Sequence, residues 1–126
     1  MIKLEIDQRA VQLINASDQT ENIDAKITML RDALAFHPIS HPVRGSVLNN
    51  LAVAIHTRFK RAGDHSDLDE AIVLHREALD LLPAPNPYRP GLLNNLANAI
   101  QTRFEKAGDR SDLDEAIVLH REALNL

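Results

Sequence analysis

Apolar residues recur three and four apart through Val47, Leu48, Leu51, Ile55, Phe59 and Ala62. That spacing gathers them on one side of an α-helix and predicts a helix from about residue 43 to about residue 62. The pattern returns between about 88 and about 107. Roughly 20 residues at about 1.5 Å each make a rod of about 30 Å. Each rod runs into Ala-Gly-Asp, where Gly63 and Gly108 are placed as C-terminal caps. A second helix is predicted to start at Ser66-Asp-Leu-Asp-Glu. Ser66 or Asp67 can accept from the open first-turn N–H groups, and Asp67 with Glu70 has capping-box spacing. The acidic first turn also suits the positive end of the helix dipole. Leu68, Ala71, Ile72, Ala78, Leu79 and Leu82 fall on one side of this helix, and Val73, Leu74 and Leu81 on another. A helix apolar on two sides is gripped from two sides, so the second set is expected to meet the next hairpin.

The two-helix unit occurs more than once. Leu48-Asn-Asn-Leu-Ala-Val-Ala-Ile-His-Thr-Arg-Phe59 returns 45 residues later as Leu93-Asn-Asn-Leu-Ala-Asn-Ala-Ile-Gln-Thr-Arg-Phe104. Asp67 to Leu79 returns unchanged as Asp112 to Leu124. The linker Pro83-Ala-Pro-Asn-Pro-Tyr-Arg-Pro90 stops the helix between them, because proline cannot continue it. The same phase reaches upstream. Pro38, Pro42 and Arg44 precede Pro83, Pro87 and Arg89 by 45 residues. Ile23-Asp24, Ile27, Arg31, Ala33 and Leu34 align with Leu68-Asp69, Ile72, Arg76, Ala78 and Leu79. Residues 2–16 are predicted to form a helix before them, without the Leu-Asn-Asn-Leu signature. The expected fold is therefore all-α, six helices in three antiparallel hairpins stacked as an α-solenoid. The hairpins are a diverged one over 1–37, a second over 42–82 and a third over 87–126.

With those residues in place, the chain resembles the tetratricopeptide repeat family. Its slots for a large residue, a Leu-small pair and a further bulky residue read Leu93, Leu96-Ala97 and Ile100. The second-helix slots read Ala116, His120 and Ala123, and Pro83 fills the proline slot of the preceding repeat. Ala97, Ala116 and Ala123 let neighbouring helix axes approach closely. The period is 45 residues against about 34 in the family. The Leu-Asn-Asn-Leu-Ala block after His41-Pro42 is similar to the long-repeat class. That class includes kinesin light chain and the arrays joined to signalling NTPases or to CHAT domains. The resemblance implies a non-catalytic protein-interaction scaffold whose first helices line a concave groove for a peptide or protein partner. The alternative is a structural, self-associating segment of a larger signalling switch protein.

Composition narrows the picture. The 126 residues carry a net charge of −4, which argues against a nucleic-acid partner. With no cysteine, disulfides and thiolate metal sites are excluded. The N-terminus alternates charged and apolar residues, unlike a signal peptide, and no stretch approaches the roughly 20 apolar residues of a membrane helix. A cytoplasmic protein with no membrane contact is expected.

The resemblance implies a role for particular side chains. The family uses first-helix Asn residues to bond the backbone of an extended peptide, since an amide both donates and accepts. The matching positions are Asn50 and Asn95, with Asn49, Asn94 and Asn98 about one turn away. Thr57, Thr102, Arg58 and Arg103 continue the wall, and Arg can hold a carboxylate or phosphate. The rival reading is that these Asn residues bond from hairpin to hairpin and hold the stack. His75 and His120 occupy a slot that the family fills with a bulky core residue, so packing is expected. His37 and His41 flank Pro38, where transition-metal binding is the alternative to a plain linker, and His56 and His65 are expected in solvent. Asp67, Asp69 and Glu70 lack the spacing and glycine of a calcium loop. No phosphate loop, paired-carboxylate pocket or catalytic triad is present, so no enzyme, cofactor or metal is expected. Finally, Val118, Leu119 and Leu126 match Val73, Leu74 and Leu81. Burying a Leu is worth about 1.5–3 kcal/mol. This side is therefore expected to be covered, either by further repeats of a longer array or by a second copy in a homodimer.

Overall fold

The computed structural model describes residues 2–19, 21–36 and 43–125, except for the side chains of 2–7, 10, 18 and 19. The described residues form six helices, α1 (Ile2–Gln19), α2 (Ile23–Phe36), α3 (Arg44–Ala62), α4 (His65–Leu81), α5 (Arg89–Ala107) and α6 (Arg110–Asn125). No strand occurs among the described residues. The chain is an all-α solenoid of antiparallel hairpins, α1 with α2, α3 with α4 and α5 with α6, joined where α2 packs on α3 and α4 on α5. His37, Pro38, His41, Pro42 and Leu126 lie outside the described residues.

Short-range chemistry sets the turns. Gly63 and Gly108 sit in the left-handed region at φ 77° and 75°, and each donates its N–H to the carbonyl of Phe59 or Phe104 at 2.7 Å. Only glycine takes that conformation without steric cost, so the helices end there. The caps of α4 and α6 correct the sequence expectation. Asp64 and Asp109, not Ser66 or Asp67, accept from the backbone N–H of Ser66 (3.0 Å) and Ser111 (2.9 Å). Asp67 and Asp112 turn inward instead and are buried. Asn22 caps α2 by accepting from the Ala25 N–H at 2.9 Å.

The core runs along the stack as two apolar clusters. One joins Leu13, Ile27, Leu30, Val47, Leu51 and Ile55, and the other joins Leu48, Ile72, Leu79, Leu92, Leu96 and Ile100. Leu34 and Leu74 pack against both, which makes the apolar interior continuous. Ala33, Ala52, Ala71, Ala78, Ala97 and Ala99 have no exposed surface, so helix backbones approach closely at these points. Arg44 and Arg89 tie one hairpin to the next. Each reaches back to a carbonyl in the last turn of the preceding helix, Leu34 at 3.1 Å and Leu79 at 2.9 Å.

The side of α4 that meets the next hairpin differs from expectation in part. Ile72 and Leu79 belong to the cluster shared with α5, Val73 is exposed, and Leu74 and Leu81 are half-buried against that cluster. Two apolar sides of a helix were legible in the pattern, but their assignment to neighbours follows from the crossing of α4 on α5.

Candidate functional site

Two cavities open between successive hairpins. The larger, about 570 Å³, is lined by Ser17 of α1, by Glu21 between α1 and α2, by Ile23, Lys26 and Leu30 of α2, and by Asn50, Val53, Ala54, Thr57 and Arg61 of α3. The smaller, about 140 Å³, is built one repeat further on from α3, α4 and α5. It is lined by Val53, His56, Thr57, Lys60, His75, Asn95 and Asn98. The two are related by the 45-residue period. Leu30 and Asn50 in the first correspond to His75 and Asn95 in the second.

The candidate wall residues separate into three groups. Asn50, Thr57, Asn95 and Asn98 reach the cavities. Asn50 and Asn98 are exposed, so their amides are open to a ligand. Asn49 and Asn95 bond to each other across the hairpin boundary, with the Asn95 Nδ2 donating to the Asn49 Oδ1 at 3.2 Å. Asn94 lies 3.2 Å from the Nδ1 of His120 through its Oδ1. The hydroxyls of Thr57 and Thr102 donate to the carbonyls of Val53 and Asn98 one turn back, both at 2.9 Å.

Arg58 and Arg103 line neither cavity and are engaged within the protein. Arg58 donates through Nε and Nη2 to both carboxylate oxygens of buried Asp67, at 2.9 and 2.8 Å, and through Nη1 to Asp24 at 3.0 Å. Arg103 repeats this with Asp112, at 2.9 Å twice, and reaches Asp69 at 3.5 Å. Asp67 and then Asp24 hold the Arg58 guanidinium above its already high pKa, and Asp112 does the same for Arg103. Each arginine therefore clamps the two helices of its own hairpin and touches the preceding hairpin as well. Sequence spacing alone does not show this, because the partners approach across a turn.

Charge in the cavities comes from other residues. Lys26 and Arg61 line the larger one and Lys60 the smaller, and none of the three is paired with a carboxylate among the described residues. The periodicity gave no reason to single them out, since none of the three is matched by the same residue in the other copy.

His56 is a correction. It was expected in solvent but is buried, because α5 covers it; the corresponding Gln101 has no such cover and is exposed. His65 is exposed, with its ring 5.8 Å from that of Phe59. His75 is buried beside His56, and His56 Nε2 and His75 Nδ1 have no hydrogen-bond partner among the described residues. Burial pushes His75 down to about 4, with help from His56. Burial, then nearby Lys60, lowers His56. Both rings are therefore neutral packing groups near pH 7. Among the described residues no group of three or more His, Cys, Asp or Glu side chains could hold a metal ion. No helix is long and apolar enough to cross a membrane.

Val118 of the predicted self-association set is exposed on α6, whereas Leu119 is half-buried against the core shared by the second and third hairpins.

Comparison with known proteins agrees with this architecture. The family model for the tetratricopeptide repeat matches residues 44–85 and 91–126, together more than half of the chain. No curated protein and no solved structure matches.

Proposed function

We propose that this chain, which belongs to the tetratricopeptide repeat family, is a non-catalytic scaffold that holds an extended segment of a protein partner along the concave wall of its first helices. Tetratricopeptide repeats generally mediate protein–protein interaction. The observation that carries this reading is the succession of two cavities in one register, with the exposed amides of Asn50 and Asn98 beside them. An amide pairs with both the N–H and the C=O of an extended main chain, whatever its side chains. Leu30, Val53 and Ala54 contribute apolar surface to the otherwise largely polar lining of the larger cavity. Lys26, Arg61 and Lys60 favour a segment that carries carboxylates near its apolar anchors. Arg58 and Arg103 stay out of the ligand site, because withdrawing either would strand a buried aspartate.

The test is selection of peptides from a random displayed library against the whole chain, followed by calorimetric titration. Acidic sequences with an apolar anchor are expected. The double variant Asn50→Ala, Asn98→Ala should bind them at least about tenfold more weakly, a loss of about 1.4 kcal/mol. Its melting temperature should not change, since both side chains are exposed. Equal affinity in the double variant removes this wall as the site.

A further inference from the structure

The junction between the second and third hairpins carries a cluster that the other copies lack. His56 and His75 both line the smaller cavity and are 8% and 1% exposed. Their counterparts one repeat earlier are Val11 and Leu30, and the place of His56 is taken by Gln101 one repeat later. Lys60, at the same cavity, stands where the other copies have Asn15 and Glu105. Leu30 fills its place with no polar side-chain atom to satisfy and is fully buried. The fold therefore does not require two imidazoles here.

His120 has the acceptor that His75 lacks. Its Nδ1 lies 3.2 Å from the Oδ1 of Asn94. The equivalent oxygen of Asn49 accepts instead from Asn95 of α5. The Nδ1 of His75 is left without a hydrogen-bond partner among the described residues, and so is the Nε2 of His56. A buried polar atom without a partner costs stability, so two of them at one cavity call for a ligand. The rest of the lining is rich in donors. Lys60 carries three and has no carboxylate partner among the described residues, and Asn98 presents an open amide. No Asp or Glu lines this cavity among the described residues. Its volume of about 140 Å³ is the room of a few waters at about 30 Å³ each, which fits one short side chain.

We propose that the smaller cavity is a proton-coupled site for one aspartate or glutamate carboxylate of the bound segment, in which the carboxylate sits beside Lys60 and the His56–His75 pair takes up one proton from solvent as it enters. This rests on the reading of the wall as a site for an acidic segment. Both rings are neutral in the free chain, because burial lowers His75 to about 4 and burial, then Lys60, lowers His56. A carboxylate in the cavity favours the charged imidazole and offers the acceptor that its second N–H needs. Few groups face the rings. α3 supplies Lys60, α4 adds no titratable lining group besides His75, α5 brings only the uncharged Asn95 and Asn98, and no residue of α2 lines the cavity. Lys60 opposes a proton on the pair, and a bound carboxylate offsets that charge. Affinity therefore rises as pH falls toward the range where the free rings would titrate.

The imidazole signals of the whole chain report this by NMR, with N-acetyl-aspartate amide as the carboxylate probe and N-acetyl-asparagine amide as its neutral twin. The aspartate probe should make one of the two rings hold its proton at least about tenfold more tightly, and the asparagine probe should leave both unchanged. Lys60→Gln should weaken the aspartate probe at least about fivefold. Peptides selected on the wall should bind at least about tenfold more tightly at about pH 5.5 than at about pH 7.5, with helicity at each pH confirming the fold. The double variant His56→Gln, His75→Leu carries the residues of the neighbouring copies at both places, and in it the pH dependence should vanish. Rings that the aspartate probe does not move overturn the proposal. So does a folded double variant that keeps the pH dependence. Peptide binding that needs Asn50 and Asn98 but ignores pH overturns it too and leaves the scaffold reading standing. A probe shift in a chain whose peptide binding ignores Asn50 and Asn98 supports the carboxylate site and removes only the wall around it.

Discussion

Residues 67–79 and 112–124 are the same thirteen-residue segment in the same helical conformation, yet they do different work. Within its own hairpin each behaves alike. Asp67 and Asp112 are buried and clamped by Arg58 and Arg103 with nearly equal geometry, and Leu68 and Leu113 both face inward. Toward the following hairpin they diverge. The first copy is covered by α5, and the second presents the same side chains to solvent. Local sequence thus sets the helix, its cap and its hairpin partner. Whether Ile, Leu or His at a given position is core or surface, and whether Arg is paired, is set by the neighbour.

The strongest test of that separation is a pair of truncations. Leu79→Ala should cost about 2–5 kcal/mol, because it removes a buried side chain from a packed cluster. Leu124→Ala, the identical change in the identical segment, should cost less than about 0.5 kcal/mol. Urea unfolding at low micromolar concentration measures both. Equal losses would mean that the stacking contact of α4 contributes nothing the isolated hairpin lacks.

A second test uses pH and the histidine at the centre of the segment. His75 is held at about 4 when folded, against about 6.5 when unfolded. Between those values the unfolded chain binds more protons, so stability is complete above about pH 6.5 and falls as pH drops toward about 4. The loss is on the order of 3 kcal/mol, and His56, lowered in the same direction, adds to it. Leucine already fills the corresponding place at position 30. His75→Leu should therefore flatten the stability curve across this window, while His120→Leu should leave the fall in place because His75 remains. An unchanged slope in His75→Leu would show that the ring is reached by water or finds an acceptor when charged.

How much of this was legible beforehand follows the same line. Helix spacing located α3 to within a residue of Arg44–Ala62, and the glycine positions located the turns. Both depend on residues close in sequence. The cap was misplaced because Asp64, Ser66 and Asp67 are all competent acceptors. Only the fold shows Arg58 drawing Asp67 inward, which leaves Asp64 to bond Ser66. His56 was misread for a related reason. Comparison of copies marks it as unmatched, but its burial comes from α5, which reaches it in space and not in register. At the candidate wall, the doubled Asn residues were visible as a repeated signature. That Asn95 turns to Asn49 while Asn50 remains open, and that Lys26, Lys60 and Arg61 supply the charge, depends on how far one hairpin is rotated against the next.

The smallest expected difference concerns Arg76 and Arg121. Arg76 holds Glu115 through two hydrogen bonds, at 2.6 and 3.0 Å, as Arg31 holds Glu70 one repeat earlier. Bidentate geometry favours the pair, and Arg76 lowers the pKa of Glu115 chiefly through this hydrogen bond. Against this, both side chains are more than a third exposed, so water and salt screen their attraction. Pairs of this kind are worth about 0.2–1 kcal/mol. Arg76→Ala should therefore destabilise the monomer by about 0.5 kcal/mol, with the loss shrinking in high salt, and Arg121→Ala should be neutral at low protein concentration. A double-mutant cycle between Arg76 and Glu115 isolates the pair from the packing of the arginine stem. A coupling near zero would assign hairpin register to the apolar contacts and the Arg44 and Arg89 carbonyl ties. A coupling of about 1 kcal/mol would mean that the repeated salt bridge helps to choose which hairpin follows which.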